Sequence, residues 1–211
     1  MATLQAMLSS PDQSQRLKGA LAAGTYPNPE FIDILIAQCS HESDFFVRDT
    51  LSWALMRHDR ATVVERLKPE LISPIPQARS QALHTLSKIG DQKNYQLITE
   101  GHLFDEDDTV AVTAWRTASV LVPEDEKTVL VAKLITQLGR GDSDTQFALT
   151  RFLCAIGEPI VGPLTEAAKS DKEEIRVQAE FTLMRFKEMQ LEFDKPSTVG
   201  GEGFEPPTSS V

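Results

Sequence analysis

One helical phrase returns six times along this chain, and its period constrains the fold more than any single residue does. Aligned on one position, the phrase is anchored at Arg16, Arg48, Arg79, Ala111, Gln146 and Arg176, with steps of 32, 31, 32, 35 and 30 residues. A unit of that length holds two short helices and a turn. It cannot bury its apolar side alone and must stack on its neighbours. The period therefore predicts an all-α chain of about six stacked helix pairs.

The columns around the anchor support that reading. One residue before it stand Gln15, Val47, Ala78, Val110, Thr145 and Ile175, and three after it Gly19, Leu51, Ala82, Ala114, Leu149 and Ala179. Offsets 6, 7 and 10 are also mostly apolar or small, and in the sixth unit they are Thr182, Leu183 and Phe186. All five offsets fall on one stripe of a helix with 3.6 residues per turn. Four residues before the anchor, Asp12, Asp44, Asp107 and Asp142 are placed to accept free N–H groups at a helix start. Breakers follow the stripe in units one, three, four and five: Gly24 with Pro27, Gly90, Pro123, and Gly157 with Pro159. Beyond them lie further apolar runs, expected to be the first helices of units two to six: Phe31 to Leu35, Val63 to Leu67, Leu97 with Ile98, Val129 to Ile135, and Ile160 to Leu164.

The segments Phe46-Val47-Arg48, Ala78-Arg79 through Ile89-Gly90-Asp91, and Ile175-Arg176 through Thr182-Leu183 resemble HEAT-like repeats of the short bacterial type. The resemblance spans roughly residues 2–190 and rests on repetition, since a single such helix is weak evidence. It implies a right-handed α-α superhelix, or armadillo-like solenoid, with first helices outside and second helices lining a concave face. It also implies a scaffold or adaptor role in protein binding. Ala111 and Gln146 depart from the anchor arginine. The arginines themselves are expected to pack between units and to hydrogen-bond nearby carboxylates.

Residues 1–193 are expected to form this one domain. From Asp194 onward Pro, Gly, Ser and Glu without apolar periodicity predict a flexible tail over 194–211. Its segment Gly203-Phe204-Glu205-Pro206 matches what GGN-TTC-GAA-CCN would encode, a sequence like the T-arm of a transfer RNA gene.

Charge narrows the partner. Twenty-one Lys and Arg against 31 Asp and Glu give a net charge of −10, which opposes nonspecific attraction to phosphate backbones. Nucleic acid is disfavoured as a partner. Only Cys39 and Cys154 are present, no membrane-length apolar run occurs, and the N-terminal residues lack a basic leader, which together suggest a cytoplasmic protein. The acidic runs Asp105 to Asp108, Glu124 to Glu126 and Asp171 to Glu174 sit at expected helix starts and lack a calcium-loop pattern. No two of His41, His58, His84 and His102 share the i, i+4 spacing of a helical metal site. No metal, cofactor or catalytic constellation is expected, and the chain is read as a non-enzyme.

Offsets +1, +4 and +5 are expected to face away from the core. They carry Trp53, Trp115, Phe147 and Phe181, interleaved with Arg57, His84, Lys88, Arg116 and Arg151. Aromatic and Arg side chains are frequent interface anchors. The expectation is a concave groove binding an acidic or amphipathic protein segment across units two to five. Two alternatives follow from other helical-repeat proteins: a nucleic-acid binder like the HEAT-like DNA glycosylases, and a small-molecule or chromophore-handling protein like the phycobilin lyases.

Overall fold

The computed structural model describes residues 2–193; the segment 194–211, expected above to be a tail, lies outside the described residues. Among the described residues all regular structure is helical. Twelve α-helices follow in order: α1 (Ala2–Leu8), α2 (Gln13–Thr25), α3 (Ile32–Cys39), α4 (Phe45–Met56), α5 (Arg60–Leu71), α6 (Pro76–Ile89), α7 (Glu100–Leu103), α8 (Asp108–Leu121), α9 (Lys127–Ile135), α10 (Ser143–Ile156), α11 (Val161–Ala167) and α12 (Glu173–Phe193). Each odd helix packs against the even helix that follows it, and the even helices pack on one another in chain order.

Helix starts are set by the expected carboxylates. Asp12, Asp44, Asp107 and Asp142 accept from the backbone N–H groups of Ser14, Val47, Thr109 with Val110, and Thr145. The third unit starts differently. Ile75 occupies its cap position without a side-chain bond, and Pro76 at the first turn needs no N–H partner. Gly90 ends α6 at φ 69, a left-handed conformation that Gly adopts without steric cost.

The core follows the periodic stripe. Val47, Leu51, Ala54 and Leu55 of α4 are buried, as are Ala82, Leu86 and Ile89 of α6, Ala114 and Leu121 of α8, and Leu149 and Leu153 of α10. The first unit keeps the stripe only in part. Gln15 and Ala22 are exposed, and Tyr26 is 77% exposed because α2 ends at Thr25.

The first helix expected at Leu97 and Ile98 is the main departure. There the chain forms a 3-10 segment, Gln92–Leu97, followed by the four-residue α7. Side chains of neighbouring elements complete the unit. The backbone N–H of Thr99 donates to Nδ1 of His102 at 3.0 Å, and the buried His102 donates through Nε2 to the Leu71 carbonyl at 2.8 Å. The Trp115 indole donates to the Leu103 carbonyl at 2.8 Å and is 0% exposed. Its bulk occupies core space beside the shortened α7.

The anchor arginines are ties between turns. Arg16, Arg48, Arg79 and Arg176 each donate to the carbonyl six residues earlier, on Ser10, Glu42, Ser73 and Ser170, at 2.8–3.1 Å. Arg16 also forks onto Glu42 at 2.8 and 2.9 Å, and Arg79 forks onto Asp105 at the same two distances, each linking one turn to the next. In the fourth unit, where the anchor is Ala111, the equivalent carbonyl is that of Asp105. Arg140, from the turn of the fifth unit, donates to it, pairs with Asp108 at 2.8 Å, and lies 5.8 Å over the Trp115 ring. The missing arginine is replaced in space by one from a later turn.

Candidate functional site

Where the even helices stack decides which side chains remain available. The offset +4 column does not face away from the core. Ser52, Leu83, Trp115 and Thr150 are buried. The Thr117 hydroxyl donates to the Leu83 carbonyl at 3.0 Å, and the Thr150 and Thr182 hydroxyls share a bond of 2.9 Å. Glu180 of α12 is exposed, with no further even helix among the described residues. Trp115 is therefore a core residue and no part of a groove. The free face is built from offsets +1, +5, +8 and +9.

On that face Trp53 is 41% exposed, and its ring edge lies on Gly24 of α2. A Cβ at Gly24 would stand 2.2 Å from Trp53 Cζ3, so the missing side chain makes room for the indole. Arg57 is exposed at the end of α4, and Lys88 is exposed in the last turn of α6. Both complement the carbonyl end of their helix. His84 is half-buried near Lys88 and Arg116 of α8. Burial, then the charges of Arg116 and Lys88, depress the His84 pKa to about 4, with Asp49 opposing. His84 is thus neutral at pH 7.

Phe147 of α10 and Phe181 of α12 meet edge to face, with ring centroids 5.4 Å apart. They line a cleft of about 620 Å³ between these helices together with Arg151, Met184 and Met189. The Arg151 guanidinium lies 5.0 Å over the Phe152 ring. Met184, Met189, Arg185 and Cys154 were not anticipated in this site. Their signal was available in part, since Cys154 and Met184 occupy offset +8, beside the chosen offset +5 on the helix surface.

The predicted residues thus lie on successive even helices, Trp53 and Arg57 at α4, His84 and Lys88 on α6 near Arg116 of α8, and Phe147, Arg151 and Phe181 on α10 and α12. On and after the odd helices several cations are matched by carboxylates, Arg66 with Asp33, Lys68 with Glu65, Lys133 with Glu100 and Lys169 with Glu166, while Arg60 and Lys172 form no ion pair among the described residues. Arg57, Lys88, Arg116 and Arg151 form no ion pair among the described residues. Uncommitted cations beside exposed aromatic rings, in a chain of net charge −10, can engage carboxylates on an apolar ligand.

Other reactive groups are held in structural roles. His58 donates from Nδ1 to the Ala54 carbonyl at 2.8 Å. Glu42, beside His41, is committed to Arg16, to Gln38 and to the Asp44 N–H. The buried Cys39 thiol is pushed up to about 12, chiefly by burial, against the opposing charge of Arg48. Among the described residues no three His, Cys, Asp or Glu side chains cluster to hold a metal ion, and no helix is long and apolar enough to cross a membrane.

The fold and the face define an all-helical protein of packed helix pairs. No known family model matches the chain, and neither does any curated protein. It is similar to the crystal structure of an engineered protein, a structural-genomics target, at 16% identity over 88% of this chain and 97% of that one, with a TM-score of 0.47.

Proposed function

We propose that this chain is a HEAT-like repeat protein whose helix pairs wind into a right-handed superhelix, and that it acts as a non-catalytic protein-interaction scaffold. The even helices line its concave side. Their free face receives an acidic or amphipathic protein segment, with Trp53, Phe147 and Phe181 as apolar contacts and Arg57, Lys88, Arg116 and Arg151 as partners for its carboxylates. The row of uncommitted cations carries this reading. Lys18, Arg60 and Lys172 elsewhere are open as well, but these four share one face with the exposed rings of Trp53 and Phe147. A solvated face has no need of that arrangement.

The test is affinity capture from a lysate of the source organism with the wild type and the Trp53→Ala, Arg116→Glu double variant. Both side chains are partly exposed, so circular dichroism should show equal helicity for the two. The reading expects a specific protein that the wild type retains and the variant loses. Equal retention by both, or retention of nucleic acid alone, would count against it.

A further inference from the structure

A second apolar surface lies along the turns that join odd to even helices in units two, three and four. Phe45, Phe46, Ile72, Ile75 and Phe104 are between 38% and 83% exposed. None belongs to the face described above. They come from three successive turns that the fold brings together. Gln77, two residues beyond Ile75, donates to the carbonyls of Cys39 and Glu42 at 2.9 and 2.8 Å, which fixes the third turn beside the second. The Arg79 fork onto Asp105 fixes the third turn beside the fourth. A shallow groove of about 590 Å³ runs between these last two, lined by Pro76, Arg79, Phe104 and Glu106. Phe45 and Phe46 pack edge to face on each other, with ring centroids 5.6 Å apart, and leave their outer faces free.

The electrostatic sign of this surface is opposite to that of the even-helix face. Its two arginines are consumed: Arg48 donates to the carbonyls of Glu42 and Ser43, and Arg79 to Asp105 and the Ser73 carbonyl. Its carboxylates are in surplus. Glu106 is exposed and forms no ion pair or side-chain hydrogen bond among the described residues. Asp44 and Asp107 use one oxygen each to cap α4 and α8. Exposed contiguous apolar side chains rimmed by charge mark an interaction surface, and the sign of the rim selects the partner.

We infer that this ridge is a second docking surface, for a protein segment with large apolar side chains flanked by Lys or Arg. The chain then carries two surfaces of opposite charge and bridges an acidic partner to a basic one. The inference stands on its own residues and does not require the even-helix face to be occupied.

A phage-displayed library of random 12-residue peptides, panned against the immobilised full chain, tests it. Enriched peptides are synthesised and their affinities measured for the wild type, for Phe46→Ser with Ile72→Ser, and for Arg116→Glu with Arg151→Glu. The expected result is a class of peptides combining aromatic or aliphatic residues with Lys or Arg. These should bind the Phe46→Ser, Ile72→Ser variant at least tenfold more weakly and the Arg116→Glu, Arg151→Glu variant unchanged. Both ridge side chains are strongly exposed, so the variant should melt with the wild type, and a second pair, Ile75→Ser with Phe104→Ser, repeats the test elsewhere on the ridge. The inference fails if no basic peptide is enriched, or if the enriched ones bind both ridge variants as tightly as the wild type. It also fails if the ridge variants abolish only a concentration-dependent self-association, which would make a second copy the occupant. Enrichment of acidic peptides alone, lost with Arg116→Glu, would remove the ridge while leaving the even-helix face standing.

Discussion

Glu42 shows how a single side chain can hold two units in register. Burial by itself would raise its pKa, but the Arg16 fork, the Asp44 N–H and Gln38 together hold it down to about 2. A carboxylate held below its ordinary value of about 4.3 stabilises the fold above that pH, and the contribution is lost as pH falls toward 2. Glu42→Gln should therefore cost about 2–3 kcal/mol at pH 7, and the difference from wild type should close as pH falls to 2, measured by denaturant melts across that range. His84 works in the same direction for the opposite charge type. Its depressed value means that stability is intact above about pH 6.5 and declines as pH falls through about 4. Because Arg116 is the leading charged contributor, Arg116→Glu replaces repulsion by attraction. Imidazole proton shifts should then report a His84 pKa moved up from about 4; an unmoved value would mean that the two side chains do not share the face as described.

At the scale of elements, the periodic stripe was legible and the extent of burial around it was not. An even helix touches its odd partner and both neighbouring even helices, so it buries an arc of about 200° at 100° per residue, against a stripe of somewhat over 100° for an ordinary surface helix. The +4 column falls inside that wider arc, which is why Trp115 is core and not groove. Capping was legible because an Asp at a fixed offset needs only local geometry. The collapse of the fourth unit's first helix was not, since it depends on Trp115 and His102 completing bonds to Leu103 and Leu71 from other elements. Two predictions belong here. Leu86→Ala, at a fully buried position of α6, should cost about 2–5 kcal/mol in a denaturant melt, whereas Leu21→Ala, 45% exposed, should cost well under half as much. Arg140→Ala strands the Asp105 carbonyl and should cost about 1–3 kcal/mol, with amide exchange accelerating first at the start of α8. Uniform exchange along the chain would contradict the role assigned to that arginine.

Across the whole molecule the helical period and the acidic excess were readable in the sequence, and the candidate face only in part, since Trp115 is core and Met184, Met189, Arg185 and Cys154 were missed. The distribution of ion pairs was not readable. Four of the nine ion pairs among the described residues are local contacts three residues apart, but those of Arg66 with Asp33 and Lys133 with Glu100 depend on how the helices stack, and only with the stack in hand do Arg57, Lys88, Arg116 and Arg151 separate from these two. The proposed binding on the even-helix face rests on these open cations lying on the same face as Trp53 and Phe147. The most direct measurement is affinity capture with two matched charge reversals, Arg116→Glu with Arg151→Glu on the even helices and Arg66→Glu with Lys133→Glu on the odd ones, after both melt within a few degrees of wild type. Loss of the retained partner in the first variant alone is the predicted result. Loss in the second alone, or in neither, would contradict the account.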